Sequence, residues 1–238
     1  MFDIIVSFFS LLFISPILLI FMYLVYRQDK HSPFYIAPRV GRNGTMFKMV
    51  KLRSMSINAD KSGVDSTSLD DVRITTVGHK IRKYKLDEFT QLWNVLIGDM
   101  SLVGPRPNVK RDTDLYTHVE RELLSIRPGI TDFSSIVFSD EGEILEGKND
   151  PDLSYNQLIR PWKSRLGLVY IENHSILLDL KLIFYTAVSI ISKQKALDWV
   201  VMQLKRMDIA KDVENISKRE VNLYPFPPPG LDHIVNAR

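Results

Sequence analysis

The segment HKIRKYKLDEFTQLWNVLIGDMSLVGPRP, residues 79–107, is the most informative part of this chain. Its two adjacent carboxylates, Asp87 and Glu88, follow a cluster of basic residues and precede a rigid Gly-Pro-Arg-Pro corner. The segment from Leu86 to Leu96 is predicted to be one helix, with both carboxylates in its first turn. Five apolar residues have the spacing of a core-facing side: Leu86, Phe89, Leu92, Trp93 and Leu96. Such a pair commonly does no more than stabilise the helix start, because carboxylates favour the positive end of the helix dipole.

The basic surroundings favour a second interpretation, in which the pair performs phosphoryl chemistry on an anionic substrate. Arg82 lies five residues before Asp87, and nearby positive charge keeps an aspartate ionised. An ionised, desolvated aspartate can attack phosphorus, and a neighbouring glutamate can hold Mg²⁺. Adjacent side chains diverge by about 100° around a helix, so the two carboxylates would have separate roles. Arg106 is held between two prolines and suits phosphate binding, although an ordinary turn explains it equally well.

Composition excludes several classes of protein. The chain has 238 residues, of which 45% are hydrophobic and 25% charged, a globular composition. It has no cysteine, which excludes disulfides, thiolate zinc sites and cysteine nucleophiles. Its histidines show no metal-ligand spacing, and neither a P-loop nor a Rossmann glycine motif occurs. The net charge of +3 gives no indication of a nucleic-acid partner.

The N-terminus has the features of a membrane segment. Residues 4–26 contain no charged side chain, and 23 such residues could cross a hydrocarbon core of about 30 Å. Ser15-Pro16 lies near the middle, where proline kinks or breaks a helix and Ser15 can bond to a freed backbone group. The residues alone favour a kinked single span over a re-entrant hairpin, and both stay open. Basic residues follow the segment, so the downstream domain is expected in the cytoplasm, near anionic head groups.

Turn and periodicity signals predict the remaining elements. Asn43-Gly44 predicts a β-hairpin over Phe34 to Met55, in which Lys51 could face a ligand, although a solvated strand face is the simpler explanation. The other expected elements are a polar surface loop at 57–76, a helix at 108–126, short strands at 133–144, a helix at 153–169, a long buried or interfacial helix at 175–207 and an extended or disordered proline-rich tail at 224–230.

Several motifs in a fixed order point to a family. They are Ser15-Pro16, PRVGRNGTMFKMVKLRSM at 38–55, RITTVGHKIRKYKLDE at 73–88, QLWNVLIGDMSLVGPRP at 91–107 and RPGIT at 127–131. Across residues 2–132 the chain resembles the small monotopic phosphoglycosyl transferases, the bacterial sugar transferases that begin polyprenol-linked glycan assembly.

The resemblance implies a mainly helical α+β fold. A re-entrant N-terminal helix at 1–27 would dip into the cytoplasmic leaflet, which reverses the preference for a span that the residues alone give. A compact cytoplasmic catalytic domain at 28–210 would carry the β-hairpin and amphipathic interfacial helices, followed by a C-terminal tail at 211–238. The protein would lie on the cytoplasmic face of the bacterial inner membrane, in contact with membrane lipids. Exposed apolar surface would also allow a homodimer.

The resemblance also implies roles for individual residues. Asp87 would attack the β-phosphorus of a UDP-sugar, release UMP and hold the phosphosugar covalently, and polyprenol phosphate would then accept it. Glu88 would be the ligand of Mg²⁺. Four basic residues would bind the substrate phosphates: Arg82, Arg106, Arg127 and Lys51.

Two positions depart from the family pattern. Thr90 stands where a proline is usual, and its presence is expected to loosen the helix slightly. Asp132 stands where a glycine is frequent, and an acid there could alter the sugar or nucleotide contacts. These departures leave room for an alternative function, a catalytically inactive membrane-anchored binding or scaffold protein of the same fold. A single-pass signalling protein whose basic loops bind anionic lipid is a third interpretation.

Overall fold

The structure, a computed structural model, describes residues 1–59, 67 and 71–236. Most of the polar loop predicted at 57–76 therefore lies outside the described residues. The described part is mainly helical and contains two small two-stranded sheets. This confirms the coarse fold class, a mainly helical protein with a small amount of β structure.

The first helix, α1, runs from Phe2 to Asp29. Its 28 residues extend about 42 Å at 1.5 Å per residue, and by length and composition it could cross a membrane. Pro16 lies inside it and removes the N–H group that would bond to the carbonyl of Leu12. Ser15 Oγ donates to that carbonyl at 2.8 Å, as the sequence predicts. The hydroxyl therefore satisfies the acceptor that the proline leaves free.

Both ends of α1 are attached to the same folded domain. At the start, the Asp3 carboxylate accepts a hydrogen bond from Ser101 Oγ at 2.7 Å and lies 3.6 Å from the Arg127 guanidinium. At the end, the Asp29 carboxylate accepts two hydrogen bonds from Arg53, at 2.5 and 2.8 Å. Between these contacts, most large apolar side chains of α1 are exposed, among them Phe9, Leu12, Phe13, Leu19 and Ile20.

The predicted hairpin is confirmed. Strand β1, Phe34–Val40, pairs antiparallel with β2, Met46–Leu52. The turn between them has positive φ angles at Asn43 (56°) and Gly44 (76°), a backbone conformation that an Asn-Gly pair adopts readily. β2 also carries Lys51, one of the predicted site residues.

Three short helices follow, α2 (Thr76–Lys83), α3 (Leu86–Phe89) and α4 (Leu92–Leu96). The prediction of one continuous helix at 86–96 is therefore wrong in its centre. The Gln91 N–H group donates to the Glu88 carbonyl at 3.0 Å, three residues back, which tightens the turn.

The interrupted helix still buries one apolar face. Leu86 and Leu92 are buried, as their spacing predicts, and Val95, which the spacing did not assign to the core, is buried as well. Trp93, which the spacing also assigned to the core, is instead 53% exposed. The break between α3 and α4 shifts which side chains point inward.

A parallel pair of short strands, β3 (Ser101–Val103) and β4 (Gly129–Thr131), brings the RPGIT segment next to the Gly-Pro-Arg-Pro corner. A Cβ atom at Gly129 would lie only 2.1 Å from the Gly104 nitrogen. Glycine therefore permits an approach that no other residue would allow. The two motifs support each other across this contact.

The prediction of one helix at 108–126 is wrong. That stretch contains one helical turn, α5 (Lys110–Thr113), and a 3₁₀ turn, Glu120–Leu124. Thr117 Oγ1 accepts a hydrogen bond from the Glu120 N–H group at 3.0 Å, and the Glu120 carboxylate accepts one from the Thr117 N–H group at 3.1 Å. This reciprocal pair is a capping box, which starts a new turn where a continuous helix was expected.

The prediction of short strands at 133–144 is also wrong. Two short helices occupy the stretch, α6 (Phe133–Val137) and α7 (Glu141–Ile144). The Asp132 carboxylate caps α6 by accepting from the Ser135 N–H group at 2.7 Å. Short apolar runs do not by themselves distinguish a strand from a buried helix, and here the cap selects the helix.

The C-terminal half is helical. The helix predicted at 153–169 is confirmed as α8 (Pro151–Ser154), a π turn (Tyr155–Ile159) and α9 (Arg160–Asn173). The long helix predicted at 175–207 is divided at Ser192, whose backbone is extended, into α10 (Ile176–Ile191) and α11 (Lys193–Arg206). A further helix, α12 (Lys211–Lys218), was not predicted. These helices and α6 enclose a core that includes Phe133, Trp162, Leu166, Leu182, Val200 and Leu204.

The proline-rich tail lacks helix and strand, as predicted, but it is packed, so the disordered alternative is wrong. The Phe226 ring stacks on Trp162 with the ring centroids 4.4 Å apart. Thr117 Oγ1 donates to the carbonyl of Pro229. The tail thus crosses α9 and reaches the capping box.

Candidate active site

Asp87 and Glu88 lie in the first turn of α3, where the chain turns sharply out of α2. Lys85, between the two helices, has a φ angle of 53°. A left-handed residue at this point ends one helix and redirects the chain into the next. Both carboxylates therefore follow a turn whose geometry is set by one residue.

Asp87 faces a buried cation of the hairpin. Lys51 Nζ lies 4.0 Å from Asp87 Oδ2, and the two side chains are 22% and 17% exposed. Burial raises the pKa of Asp87, and Lys51 opposes that rise. Burial also lowers the pKa of Lys51 to about 8. The carboxylate is thus largely desolvated yet still accessible, with a positive charge beside it.

Glu88 is paired with the arginine of the proline corner. Arg106 donates to Glu88 Oε1 at 2.9 Å. Burial alone would raise the pKa of Glu88, but Arg106, with help from Lys85 and Lys51, holds it below its usual value. Glu88 in turn raises the pKa of Arg106. Both members of this pair therefore stay charged.

Arg82 and Arg127 have different surroundings. Arg82 Nε donates to Ser54 Oγ at 3.1 Å. Burial lowers the pKa of Arg82, and the nearby Asp87 carboxylate opposes that effect, which places Arg82 beside the cluster. Arg127 is 44% exposed, and its ion pair is with Asp3 at the start of α1. The structure thus gathers Lys51, Arg82, Arg106 and the two carboxylates, whereas the contact found for Arg127 is with the membrane helix.

Thr90 lies where α3 ends and links this turn to the hairpin. Its side chain is buried, and its hydroxyl donates to the Val50 carbonyl of β2 at 3.1 Å. One turn later, buried Asn94 contacts the same strand. The sequence signal for this contact is the pair of polar residues four positions apart in a mainly apolar segment.

The Asp132 carboxylate is buried at the start of α6. Burial raises its pKa. Both of its oxygens accept hydrogen bonds from Ser134 Oγ, at 2.8 and 2.9 Å, and one also accepts from the Ser135 hydroxyl and N–H group. The carboxylate is committed to capping α6.

A cavity of about 500 Å³ lies between the hairpin turn and α5. It is lined by Asn43, Gly44, Lys110 and Ser125, among others. A smaller pocket lined by Arg106 shares Val40 and Leu124 with it. The volume of the larger cavity falls within the range of small-molecule sites.

The predicted magnesium site has few ligands from the protein. Across residues 1–59, 67 and 71–236, no group of three or more His, Cys, Asp or Glu side chains could enclose a metal. Mg²⁺ does not need such a cage, because it is commonly held by one or two carboxylates together with substrate phosphates. Glu88, the predicted ligand, offers one such carboxylate, with Oε1 2.9 Å from Arg106.

Comparison with known proteins gives a consistent picture. A model of the family described as bacterial sugar transferase matches residues 1–193. The exopolysaccharide production protein ExoY of Sinorhizobium fredii is 35% identical over 200 residues, which are 78% of this chain and 81% of that protein. The UDP-glucose:undecaprenyl-phosphate glucose-1-phosphate transferase of Klebsiella pneumoniae is 36% identical over 188 residues, 77% of this chain and 38% of that protein.

A third relative has the same kind of name. The undecaprenyl-phosphate galactose phosphotransferase of Salmonella typhimurium is 33% identical over 210 residues, which are 82% of this chain and 40% of that protein. The chain thus spans about two fifths of the length of the Klebsiella and Salmonella proteins.

Proposed function

Because the chain belongs to the bacterial sugar transferase family, as its motifs predicted, we propose that it transfers a sugar-1-phosphate from a UDP-sugar to polyprenol phosphate. The observation that carries this proposal is the desolvated Asp87 carboxylate, 4.0 Å from Lys51 and next to the Glu88–Arg106 pair. A buried nucleophile surrounded by cations suits an attack on an anionic phosphorus centre. The names of the relatives support the same donor and acceptor classes.

The transfer proceeds in two displacements at the same phosphorus atom. An Asp87 carboxylate oxygen attacks the β-phosphorus of the UDP-sugar, the bond from that phosphorus to the bridging oxygen breaks, and UMP leaves with the electron pair. A phosphate oxygen of polyprenol phosphate then attacks the phosphorus of the aspartyl-phosphosugar. The bond to Asp87 breaks, which regenerates the carboxylate and releases polyprenol-diphosphate sugar.

The basic residues stabilise the charge that both displacements develop. Lys51 offsets the negative charge of Asp87, and Arg106 and Arg82 present guanidinium groups to the diphosphate. Glu88 would hold Mg²⁺, which would supply positive charge to offset the negative charge of the substrate phosphates.

We propose that α1 is re-entrant and anchors the enzyme to one leaflet. In a spanning helix, Asp3 and Asp29 would lie on opposite sides of a hydrocarbon core about 30 Å thick. The contacts of both residues with one domain favour an arrangement in which the ends share a side. Exposed apolar residues on α10 extend the lipid-facing surface: Ile176, Leu177, Leu180 and Phe184. The proposed location is the cytoplasmic face of the bacterial inner membrane.

A screen of UDP-sugars for UMP release by the purified protein, with Mg²⁺ and polyprenol phosphate, tests the function and identifies the sugar. The alternative function, a catalytically inactive scaffold protein, was based on the departures from the family pattern at Thr90 and Asp132. Both now have structural explanations that leave the charged cluster intact. No release from any UDP-sugar would revive that alternative.

Cysteine labelling tests the topology, because the chain has no cysteine of its own. In intact spheroplasts, Phe2→Cys should resist a membrane-impermeant maleimide and should react once the membrane is permeabilised. Asp198→Cys, on the exposed side of α11, is the matched control and should behave identically. Labelling of Phe2→Cys in intact spheroplasts would place the N-terminus outside the cytoplasm and contradict the re-entrant arrangement.

The pH dependence of kcat/KM for UMP release should be bell-shaped, since kcat/KM reports the ionising groups of the free enzyme. As the pH rises through about 8, Lys51 loses its charge and activity falls. As the pH falls, Asp87 is protonated at a higher pH than an exposed aspartate, because burial raises its pKa. Lys51→Arg keeps its charge in alkali, so this variant should lose the alkaline fall. An unchanged alkaline fall in Lys51→Arg would show that another group titrates there.

A further inference from the structure

The free edge of β2 is occupied by side chains rather than by another strand. β1 pairs with one side of β2. On the other side, Asn94 Oδ1 accepts a hydrogen bond from the Val50 N–H group at 2.9 Å, and Asn94 Nδ2 donates to the Lys48 carbonyl at 2.8 Å. Thr90 Oγ1 donates to the Val50 carbonyl at 3.1 Å. Two side chains one helical turn apart thus take the place of a neighbouring strand.

The Thr90 hydroxyl also contacts the backbone of the proposed nucleophile. Thr90 Oγ1 lies 3.0 Å from the Asp87 carbonyl, so its one proton is shared between two carbonyl oxygens. The other carbonyl belongs to Val50, the residue directly before Lys51. One hydroxyl therefore joins the backbone of Asp87 to the backbone that carries Lys51.

Burial makes this link effective. Thr90 is 6% exposed and Asn94 is fully buried, so water does not compete for their hydrogen bonds. A proline at position 90 could not form the link, because it has no hydroxyl. In this chain the departure from the family pattern supplies a contact instead of removing one.

We infer that Thr90 is a positioning residue of the active site, whose hydroxyl sets the spacing between Asp87 and Lys51. Asn94 assists by holding the same strand edge. The inference rests on the proposed function, in which Asp87 is the nucleophile. Thr90 itself touches neither substrate nor the reacting atoms.

The test compares variants that differ in the hydroxyl. Thr90→Val keeps the volume but removes the hydroxyl, and we expect kcat for UMP release to fall about 10-fold to 100-fold because the nucleophile is misplaced. The KM for the UDP-sugar should stay within about twofold, since the phosphate-binding cations remain. Thr90→Ser, which keeps the hydroxyl, should recover most of the rate. Ser217→Ala removes another buried hydroxyl bond, to Val213 in α12, and should leave the rate unchanged.

Each result has a defined meaning. A wild-type kcat in Thr90→Val would overturn the inference, and so would a Thr90→Ser variant as slow as Thr90→Val. An equal loss in Ser217→Ala would show general destabilisation and would also overturn it. Thr90→Ala, which adds no bulk, replaces Thr90→Val if the latter yields no folded protein. If the wild-type protein releases no UMP, the proposed function is contradicted. If the wild type is active and the variants give one of the results above, the inference about Thr90 alone is contradicted.

Discussion

Asp87→Asn should lower kcat for UMP release by at least about 1,000-fold, the largest effect expected from any single change in this chain. The amide keeps the size and shape of the side chain but cannot form the bond to phosphorus. Burial leaves the Asp87 carboxylate poorly solvated, which raises its pKa. The same poor solvation makes the carboxylate strongly nucleophilic when it is ionised. Its loss removes the first displacement entirely rather than weakening it.

Intact-mass spectrometry provides the accompanying measurement. Incubated with a UDP-sugar and no acceptor, the wild-type protein should gain the mass of one phosphosugar, and Asp87→Asn should gain none. Asp198→Asn, an exposed aspartate on α11, should match the wild type in rate and adduct. An adduct that still forms on Asp87→Asn would mean that another residue is the nucleophile.

Arg106→Lys should lower kcat/KM about 100-fold, the second largest expected effect. The Arg106 guanidinium contacts Glu88 at 2.9 Å and has further N–H groups in the same plane for a phosphate. A lysine keeps the charge but offers no planar fork, so it cannot hold the carboxylate and the phosphate together. The proline corner fixes the backbone on both sides and prevents it from moving to compensate.

The steady-state kinetics of UMP release measure this effect. Arg206→Lys, in the exposed last turn of α11, is the matched control and should retain the wild-type kcat/KM. If Arg106→Lys retained full activity, a point charge would be sufficient and the planar contact would have no catalytic role. Melting temperatures of both variants should stay close to the wild type, because Arg106 is partly exposed.

The sequence predicted best where a local signal was sufficient. Asn43-Gly44 specified the hairpin turn, and Ser15-Pro16 predicted both an interior proline and the hydroxyl that compensates for it. It failed where a side-chain cap starts a new turn inside a segment whose apolar pattern suggested a different element. The capping box at Thr117 and the cap at Asp132 depend on side chains turning back onto their own backbone, so a helix at 108–126 and strands at 133–144 were predicted wrongly.

In the candidate site, local signals indicated some residues, whereas the contacts of others depend on the folded structure. The sequence indicated Asp87, Glu88 and Arg106 through their chemistry and spacing. It could not show that Lys51, thirty-six residues before Asp87, would face that carboxylate, because this contact depends on how the hairpin docks against α3. It could not reveal the role of Thr90 for the same reason, since the hydroxyl acts on a strand forty residues away.

In the proposed re-entrant arrangement, the attachment of α1 at both ends would change how the protein responds to the lipid around it. A helix that spans a bilayer must match the hydrocarbon thickness, and it tilts or deforms the lipid when it does not. A re-entrant helix held through Asp3 and Asp29 takes its depth of insertion from the domain above it instead. Such an enzyme would tolerate membranes of different acyl-chain length, and its lipid sensitivity would lie in the packing and charge of the single leaflet that it touches.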